Sequence, residues 1–190
     1  MADVRVAFTT EVSFVELAEY AHGQGWRPET RSGYPIPATD SLEADAYAFV
    51  WRFDNGTARF VDDQVTEVQF IEFGGMGGRA AADTLSESFS TATYIDCLNW
   101  LDGSISDDER EKALEMLGVI APREYESSVY QHISGGLVSN SVTIRAAAIS
   151  AILQLSWAEF RSPLRRIAEA DADLNNRAYA SNVLHALPRA

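Results

Sequence analysis

The spacing of apolar residues changes near the glycine cluster GGMGG at positions 74–78. Before this cluster the pattern is typical of strands. VRVAF alternates from Val4 to Phe8, and AYAFVWRF and TARFV flank the turn sequence DNG. Aromatic and β-branched residues around Asn-Gly predict a β-hairpin. VTEVQFIEF predicts a further strand, after a second acidic turn expected at Asp62 and Asp63.

One helix and one loop complete this first part. SFVELAEYAHGQGW places apolar residues on one helical face, and Ser13 is a favourable N-cap. The segment from Arg27 to Asp45 contains three prolines and predicts a loop. Residues 1–78 are therefore expected to form a small β-α-β-β-β domain, with GGMGG as a flexible hinge to the rest of the chain.

After residue 78 the spacing becomes helical and repeats. The segment from Arg145 to Leu155 falls on Arg177 to Leu187 after a shift of 32 residues, and on Arg110 to Ile120 after a shift back of 35. Arginine, alanine and apolar positions coincide in the three copies, which indicates an internal repeat. The repeat predicts six helices in three antiparallel pairs: 92–102 with 107–119, 123–134 with 141–156, and 160–170 with 173–187.

These copies resemble the HEAT-repeat family, particularly its short bacterial form, in which each unit is a pair of antiparallel helices. The closest segment is SPLRRIAEADADLNNRAYASNVLHAL, from Ser162 to Leu187. The resemblance implies a HEAT-like solenoid of about three helix pairs at 79–190. Together with the small domain predicted at 1–78, this makes the expected fold class α+β. The resemblance also implies an inner face lined by the second helices, no catalytic residue, and Asp171 or Asp173 as the carboxylate partner of Arg177.

Small residues recur at one position of each second helix. Ala113, Ala148 and Ala180 share a column of the repeat. A helix pair that stacks on neighbours at both sides needs small side chains where the helices approach closely, because larger ones would overpack the contact. The three alanines are therefore expected to be buried between helix pairs.

Composition limits the classes of function. The chain has 190 residues, 46% of them hydrophobic, with one cysteine and a net charge of −13. No apolar run is long enough to span a membrane, and the first residues do not resemble a signal peptide, so a cytoplasmic location is expected. The negative charge disfavours nucleic acid and favours a basic protein partner.

The usual signals of chemistry are weak here. GGMGG lacks the Gly-Lys-Ser/Thr ending of a phosphate loop. His22, His132 and His185 lie in separate predicted helices, and Cys97 has no second cysteine to share a metal with. Cys97 is expected to be a small buried side chain. The sequence therefore predicts no catalytic residue, no metal site and no cofactor.

Two classes of function stay open. The first is a non-enzymatic protein-protein interaction module, such as an adaptor or a bacterial immunity protein that binds a basic partner. The second is an enzyme or enzyme accessory that holds a small molecule in the cleft between the two domains. For the first class, the predicted binding residues lie on the inner face of the second helices: Glu115, Ser150, Gln154, Asn182 and His185. The acidic pair Asp62 and Asp63 is the alternative binding surface.

Overall fold

The computed structural model describes residues 4–29, 36–37, 46–64, 66–103 and 105–188. The chain divides into two compact units, Met1–Thr93 and Tyr94–Ala190. The described strands all belong to the first unit, and the second consists of helices. The chain is therefore α+β, with N-terminal strands and C-terminal helices as predicted. The two units meet at Thr93, further along the chain than the predicted domain boundary at residue 78.

The strands of the first unit are β1 (Val4–Phe8), β2 (Arg27–Pro28), β3 (Ile36–Pro37), β4 (Ala46–Phe53), β5 (Gly56–Asp63), β6 (Val68–Gly75) and β7 (Thr91–Ala92). They pair antiparallel in the order β2-β4-β5-β6-β1-β7, and β3 also pairs with β4. Helix α1 (Phe14–Gly23) follows β1, and helix α2 (Gly78–Ser88) follows β6. The longer elements reproduce the predicted β-α-β-β-β order. Strands β2 and β3 lie in the predicted loop, whose other residues from position 30 to 45 lie outside the described ranges.

The predicted hairpin is the β4–β5 pair. Phe53 lies opposite Gly56, so Asp54 and Asn55 form the turn between them. Glycine is required at position 56, because a Cβ there would lie 2.2 Å from the carbonyl oxygen of Gly74 on the adjacent strand. Glycine therefore lets the hairpin turn lie directly against β6.

The cluster GGMGG is not a hinge between the two units. Its first two glycines end β6, and Gly78 begins α2, so the cluster connects two elements of the first unit. Gly75 has a φ of +85°, in the left-handed region that favours glycine. A Cβ at Gly78 would lie 3.0 Å from the carbonyl oxygen of Phe73. The glycines therefore serve a tight strand-to-helix connection.

Two helices complete the apolar core of the first unit. Helix α1 begins with a capping box, in which the Ser13 hydroxyl accepts a hydrogen bond from the Glu16 amide and the Glu16 carboxylate accepts one from the Ser13 amide. Leu17 on α1 and Leu85 on α2 are both fully buried in this core. Aromatic side chains from the strands and the α1–β2 connection surround them, including Trp26, Trp51, Phe60 and Phe73.

The second unit contains six α-helices in its described residues. They are α3 (Tyr94–Asp102), α4 (Asp107–Ile120), α5 (Ser127–Leu137), α6 (Val142–Leu155), α7 (Arg161–Ala170) and α8 (Leu174–Ala186). A short 3₁₀ turn, Ala158–Phe160, precedes α7. Each helix overlaps its predicted range. The largest difference is at the start of α5, where the carboxylate of Glu126 caps the helix by accepting from the Val129 amide at 2.9 Å.

The six helices pack as consecutive pairs. Helix α3 contacts α4, α5 contacts α6, and α7 contacts α8. The second helices also lie side by side, α4 against α6 and α6 against α8. Helix α6 is apolar around most of its circumference because it contacts α4, α5 and α8. Ala113, Ala148 and Ala180 are all buried, as predicted.

No helix in the described part of the chain has both the length and the apolar character needed to cross a bilayer. The cytoplasmic location stays a prediction.

Candidate functional site

The predicted inner-face residues lie at accessible positions of the three second helices. We call this set the inner-face row: Glu115 on α4, Ser150 and Gln154 on α6, and Asn182 and His185 on α8. The members on α4 and α6 are half-buried, and the two on α8 are exposed. The row therefore follows helices that pack beside one another, and its role in binding stays a prediction.

The alternative acidic pair lies in a strand and not in a turn. Asp62 and Asp63 are the last residues of β5, and the turn begins after them. Asp62 is half-buried, whereas Asp63 is 7% exposed and accepts a hydrogen bond from the Thr66 amide at 3.3 Å. The carboxylate of Asp63 therefore supports the β5–β6 connection. Of the two predicted residues, Asp62 is the one with a partly accessible side chain.

A nearly buried ion pair joins the second and third helix pairs. Arg145 Nε donates to Asp171 Oδ2 at 2.7 Å, and Arg145 Nη2 donates to Asp171 Oδ1 at 2.9 Å. The side chains are 10% and 2% exposed. The Arg145 guanidinium lowers the pKa of the Asp171 carboxyl, because hydrogen bonds from a cation favour the ionised form. This bidentate geometry fixes α6 against the α7–α8 turn.

The prediction that a carboxylate binds Arg177 is corrected, because the acceptor is a backbone carbonyl. The carboxylate of Asp171 binds Arg145, and it is the backbone carbonyl of Asp171 that accepts from Arg177 Nη1, at 2.9 Å. Asp173 caps α8 instead, accepting hydrogen bonds from the amides of Asn175 and Asn176 at 2.9 Å.

A cavity of about 510 Å³ lies between the first and second helix pairs. Its described lining comes from α3, α4, α5, the α5–α6 turn and α6: Leu101, Asp102, Arg110, Leu114, Gln131, His132, Gly135, Gly136, Ser139 and Ile144. Arg110 is half-buried and donates from Nη1 to the carbonyl oxygen of Leu101 at 3.3 Å. Among the described residues, Arg110 has no ion-pair partner. The cavity therefore contains a guanidinium that forms no ion pair within the described part of the chain.

His132 forms one side of this cavity and is held at both ring nitrogens. Nδ1 lies 2.7 Å from the carbonyl oxygen of Ser128, and Nε2 lies 3.0 Å from Asp102 Oδ1. A carbonyl and an ionised carboxylate can only accept hydrogen bonds. In either contact the imidazole can only be the donor, and the two contacts fix the orientation of the ring. Asp102 thus contacts His132, and Arg110 has no ion-pair partner among the described residues.

The remaining candidates for chemistry lie on different helices. Cys97 is fully buried in α3, and burial raises the pKa of its thiol to about 12, with a further contribution from the Asp96 carboxylate. A thiol in this state is a poor nucleophile. His22 and His185 are exposed on α1 and α8. In the described ranges, no three His, Cys, Asp or Glu side chains converge as a metal site would require.

Sequence reasoning missed the cavity, although the repeat contained its signal. Arg110 occupies the same column as Arg145, whose partner is Asp171. Shifting Asp171 back by 32 residues gives Ser139, which has no carboxylate. The absence of a partner for Arg110 could therefore have been read from the alignment of the chain with itself.

Comparison of this chain with protein-family models, with curated proteins and with solved structures found no match.

Proposed function

We propose that residues 94–187 form a HEAT-like solenoid and that the protein is a non-enzymatic protein-binding module. The observation that carries this proposal is the side-by-side packing of α4, α6 and α8. A stack of helix pairs buries the faces between neighbours and leaves an extended surface on its second helices. The ion pair between Arg145 and Asp171 supports the stack, because it joins consecutive pairs at a fixed register.

The inner-face row is the binding surface in this proposal. Its side chains are polar and are carried by three neighbouring helices, and on α4 and α6 most of the positions next to them are buried. Ser150, for example, lies between the buried residues Ile149 and Ala151. Polar residues at accessible positions of a rigid stack can bind a partner without contributing to the core. A partner that spans the row would contact all three helix pairs at once.

The charge of the chain supports a basic partner. A net charge of −13 accelerates association with a cationic protein and opposes association with nucleic acid. An adaptor or a bacterial immunity protein that neutralises a basic toxin fits these properties. The enzymatic alternative is not favoured by a particular observation, since the one thiol is buried and the described histidines do not converge.

The test compares two charge-matched variants for capture of a basic protein from the native host. The first variant carries Glu115→Lys, Ser150→Arg and Asn182→Arg on the inner-face row. The control carries Glu124→Lys, Ser127→Arg and Ser162→Arg, at exposed positions on or near the first helices. Both variants change the net charge by the same amount. Loss of the partner in the first variant alone supports the proposal.

Equal loss of the partner in the two variants would show that net charge alone, and not the inner-face row, determines binding. Capture of the partner by both variants would contradict the proposal. A third variant, Asp62→Lys, tests the competing surface on β5. Loss of the partner in this variant, with retention in the inner-face variant, would place binding on the first unit and exclude the inner-face row. Far-UV circular dichroism and thermal unfolding establish that each variant is folded.

A further inference from the structure

The second unit contains two contacts between neighbouring helix pairs, and these contacts can be compared with each other. Arginine occupies one column of the repeat in all three second helices. Each arginine donates from Nη1 to a backbone carbonyl oxygen that precedes its own helix: Arg110 to Leu101 at 3.3 Å, Arg145 to Ser139 at 2.9 Å, and Arg177 to Asp171 at 2.9 Å. For Arg145 and Arg177 the acceptor lies six residues before the arginine, which supports the alignment of Ser139 with Asp171.

The contact between the second and third pairs is filled. Arg145 reaches the following pair and binds both carboxylate oxygens of Asp171. The ion pair of Arg145 and Asp171 thus occupies this contact.

The contact between the first and second pairs lacks this carboxylate. The same shift of 32 residues places Ser139 at the position of Asp171. Arg110 is present in the arginine column, and it has no ion-pair partner among the described residues. The cavity of about 510 Å³ lies at this contact, and Arg110, Gly135 and Ser139 all line it.

The two glycines of α5 differ in the space around them, and only one of them borders open space. A Cβ on Gly136 would lie 3.0 Å from side-chain atoms of Ala148 and Leu114, so packing of the helices explains this glycine. A Cβ on Gly135 would have no heavy atom within 4 Å. Glycine in a helix is less stable than alanine, and packing gives no reason for it at position 135. Its effect is to leave the cavity open.

We propose that this cavity binds a small carboxylate, whose two oxygens take the place next to Arg110 that the Asp171 carboxylate takes next to Arg145. A guanidinium and a carboxylate match in a two-bond geometry, and the filled contact of the same chain shows the arrangement. The cavity volume is in the range of small-molecule sites. This site lies at the contact between two helix pairs and does not depend on the inner-face row.

The other lining groups limit what the carboxylate is attached to. Leu101, Leu114 and Ile144 supply apolar surface, which favours a short hydrocarbon chain over a fully polar molecule. Asp102 also lines the cavity and presents a carboxylate to it. A multiply charged anion would be repelled by this carboxylate, so the structure favours a monocarboxylate over inorganic phosphate.

The experiment titrates the ¹⁵N-labelled protein with sodium butyrate, using sodium chloride at equal ionic strength as the reference. We expect butyrate to shift the amide resonances of Gly135 and Ser139, and inorganic phosphate to bind more weakly. Arg110→Gln should weaken butyrate binding by about 10- to 100-fold, because it removes a charge-assisted hydrogen-bonding group. Lys112→Gln, an exposed change of the same charge on the same helix, should leave the affinity unchanged.

A second variant copies the filled contact into the open one. Gly135→Ile with Ser139→Asp places an aliphatic side chain in the open space beside Gly135 and supplies the carboxylate that Asp171 provides in the next contact. We expect this variant to lose the butyrate-dependent shifts and to melt at a higher temperature than the parent chain. Absence of shifts in the parent, equal butyrate affinity in Arg110→Gln, tighter binding of phosphate, or retained butyrate binding in the double variant would each overturn the proposal.

Discussion

Arg145 holds Asp171 through two parallel hydrogen bonds of 2.7 and 2.9 Å, and these residues belong to different helix pairs. Arg145 lies in the first turns of α6, and Asp171 lies at the end of α7. The pair therefore connects elements that the chain does not connect directly. Asp171 also accepts from the Asp173 amide at 2.8 Å, so one carboxylate organises both the contact and the turn.

Removing one partner of this ion pair should strongly destabilise the protein. Asp171→Asn leaves the Arg145 guanidinium nearly buried without a counter-charge, and we expect a loss of about 3 kcal/mol in the free energy of unfolding. Urea unfolding followed by circular dichroism measures this difference. Arg165→Gln, an exposed change on α7, should stay within about 0.5 kcal/mol of the parent. A loss below about 1 kcal/mol in Asp171→Asn would show that the ion pair does not fix the contact.

The same pair predicts a dependence of stability on pH. The pKa of Asp171 is lowered in the folded chain, mainly by hydrogen bonds from Arg145, whereas an unfolded aspartate titrates at about 3.9. The unfolded chain therefore takes up this proton first, and the contribution is fully present above about pH 5. It is lost as the pH falls through the folded pKa.

The measurement for this pH prediction is the difference in unfolding free energy between the parent and Asp171→Asn. We expect this difference to be constant between about pH 6 and 8 and to shrink below about pH 4. A difference that persists unchanged into strong acid would contradict the assignment of the lowered pKa to this contact.

Local features of the fold were predictable from the sequence because a few neighbouring residues determine them. The start of α1 depends on the cap formed by Ser13 and Glu16, and the hairpin depends on its Asn-Gly turn. The positions of the six repeat helices follow from apolar spacing. Ala113 was predictable because the repeat marks a column of small residues. These predictions required no knowledge of which element lies beside which.

Features that depend on packing partners were not predictable in the same way. Aspartate is common in turns, but Asp63 lies in β5 because it still pairs with both neighbouring strands. Helix α2 has an apolar side that fits either unit, and Leu85 packs with the sheet. The cavity at Arg110 is lined by Gly135, which has no side chain, and by Ser139, which has no carboxylate. Apolar spacing does not report such absences.

Two helix glycines should respond oppositely to alanine. A Cβ on Gly118 would lie 2.5 Å from the Cα of Ala151, so Gly118→Ala must separate α4 from α6. We expect it to destabilise the protein by about 1–3 kcal/mol despite the better helix propensity of alanine. Gly135→Ala meets open space, and we expect it to stabilise the protein by about 0.5–1 kcal/mol. Chemical denaturation of both variants checks this, and a stabilised Gly118→Ala would refute the close approach of α4 and α6.

Cys97 should resist alkylation in the folded protein. Its thiol is fully buried, and burial raises its pKa to about 12, so little thiolate exists at neutral pH. We expect no adduct with iodoacetamide under native conditions and complete modification in concentrated urea. Intact mass spectrometry measures both states. Rapid native labelling would place Cys97 in an accessible environment and would reopen a nucleophilic role.

The position of α2 predicts how the chain can be divided. Ala82 and Leu85 on this helix are buried with the sheet, and the compact units meet at Thr93. A fragment beginning at Arg79 therefore carries the apolar side of α2 without the strands that cover it, whereas a fragment beginning at Tyr94 omits this helix. Exposed apolar surface of this kind promotes aggregation.

We expect the fragment from Tyr94 to be recovered with a cooperative thermal transition and the fragment from Arg79 to aggregate more at equal concentration. Size-exclusion chromatography and light scattering compare the two. A variant of the longer fragment with Ala82→Ser and Leu85→Ser serves as the matched control, because it removes the apolar side chains and keeps the length. If this control aggregates as much as the unaltered longer fragment, the apolar side of α2 is not the cause. If the fragment from Tyr94 is the one that aggregates more, the division at Thr93 does not separate independent folding units.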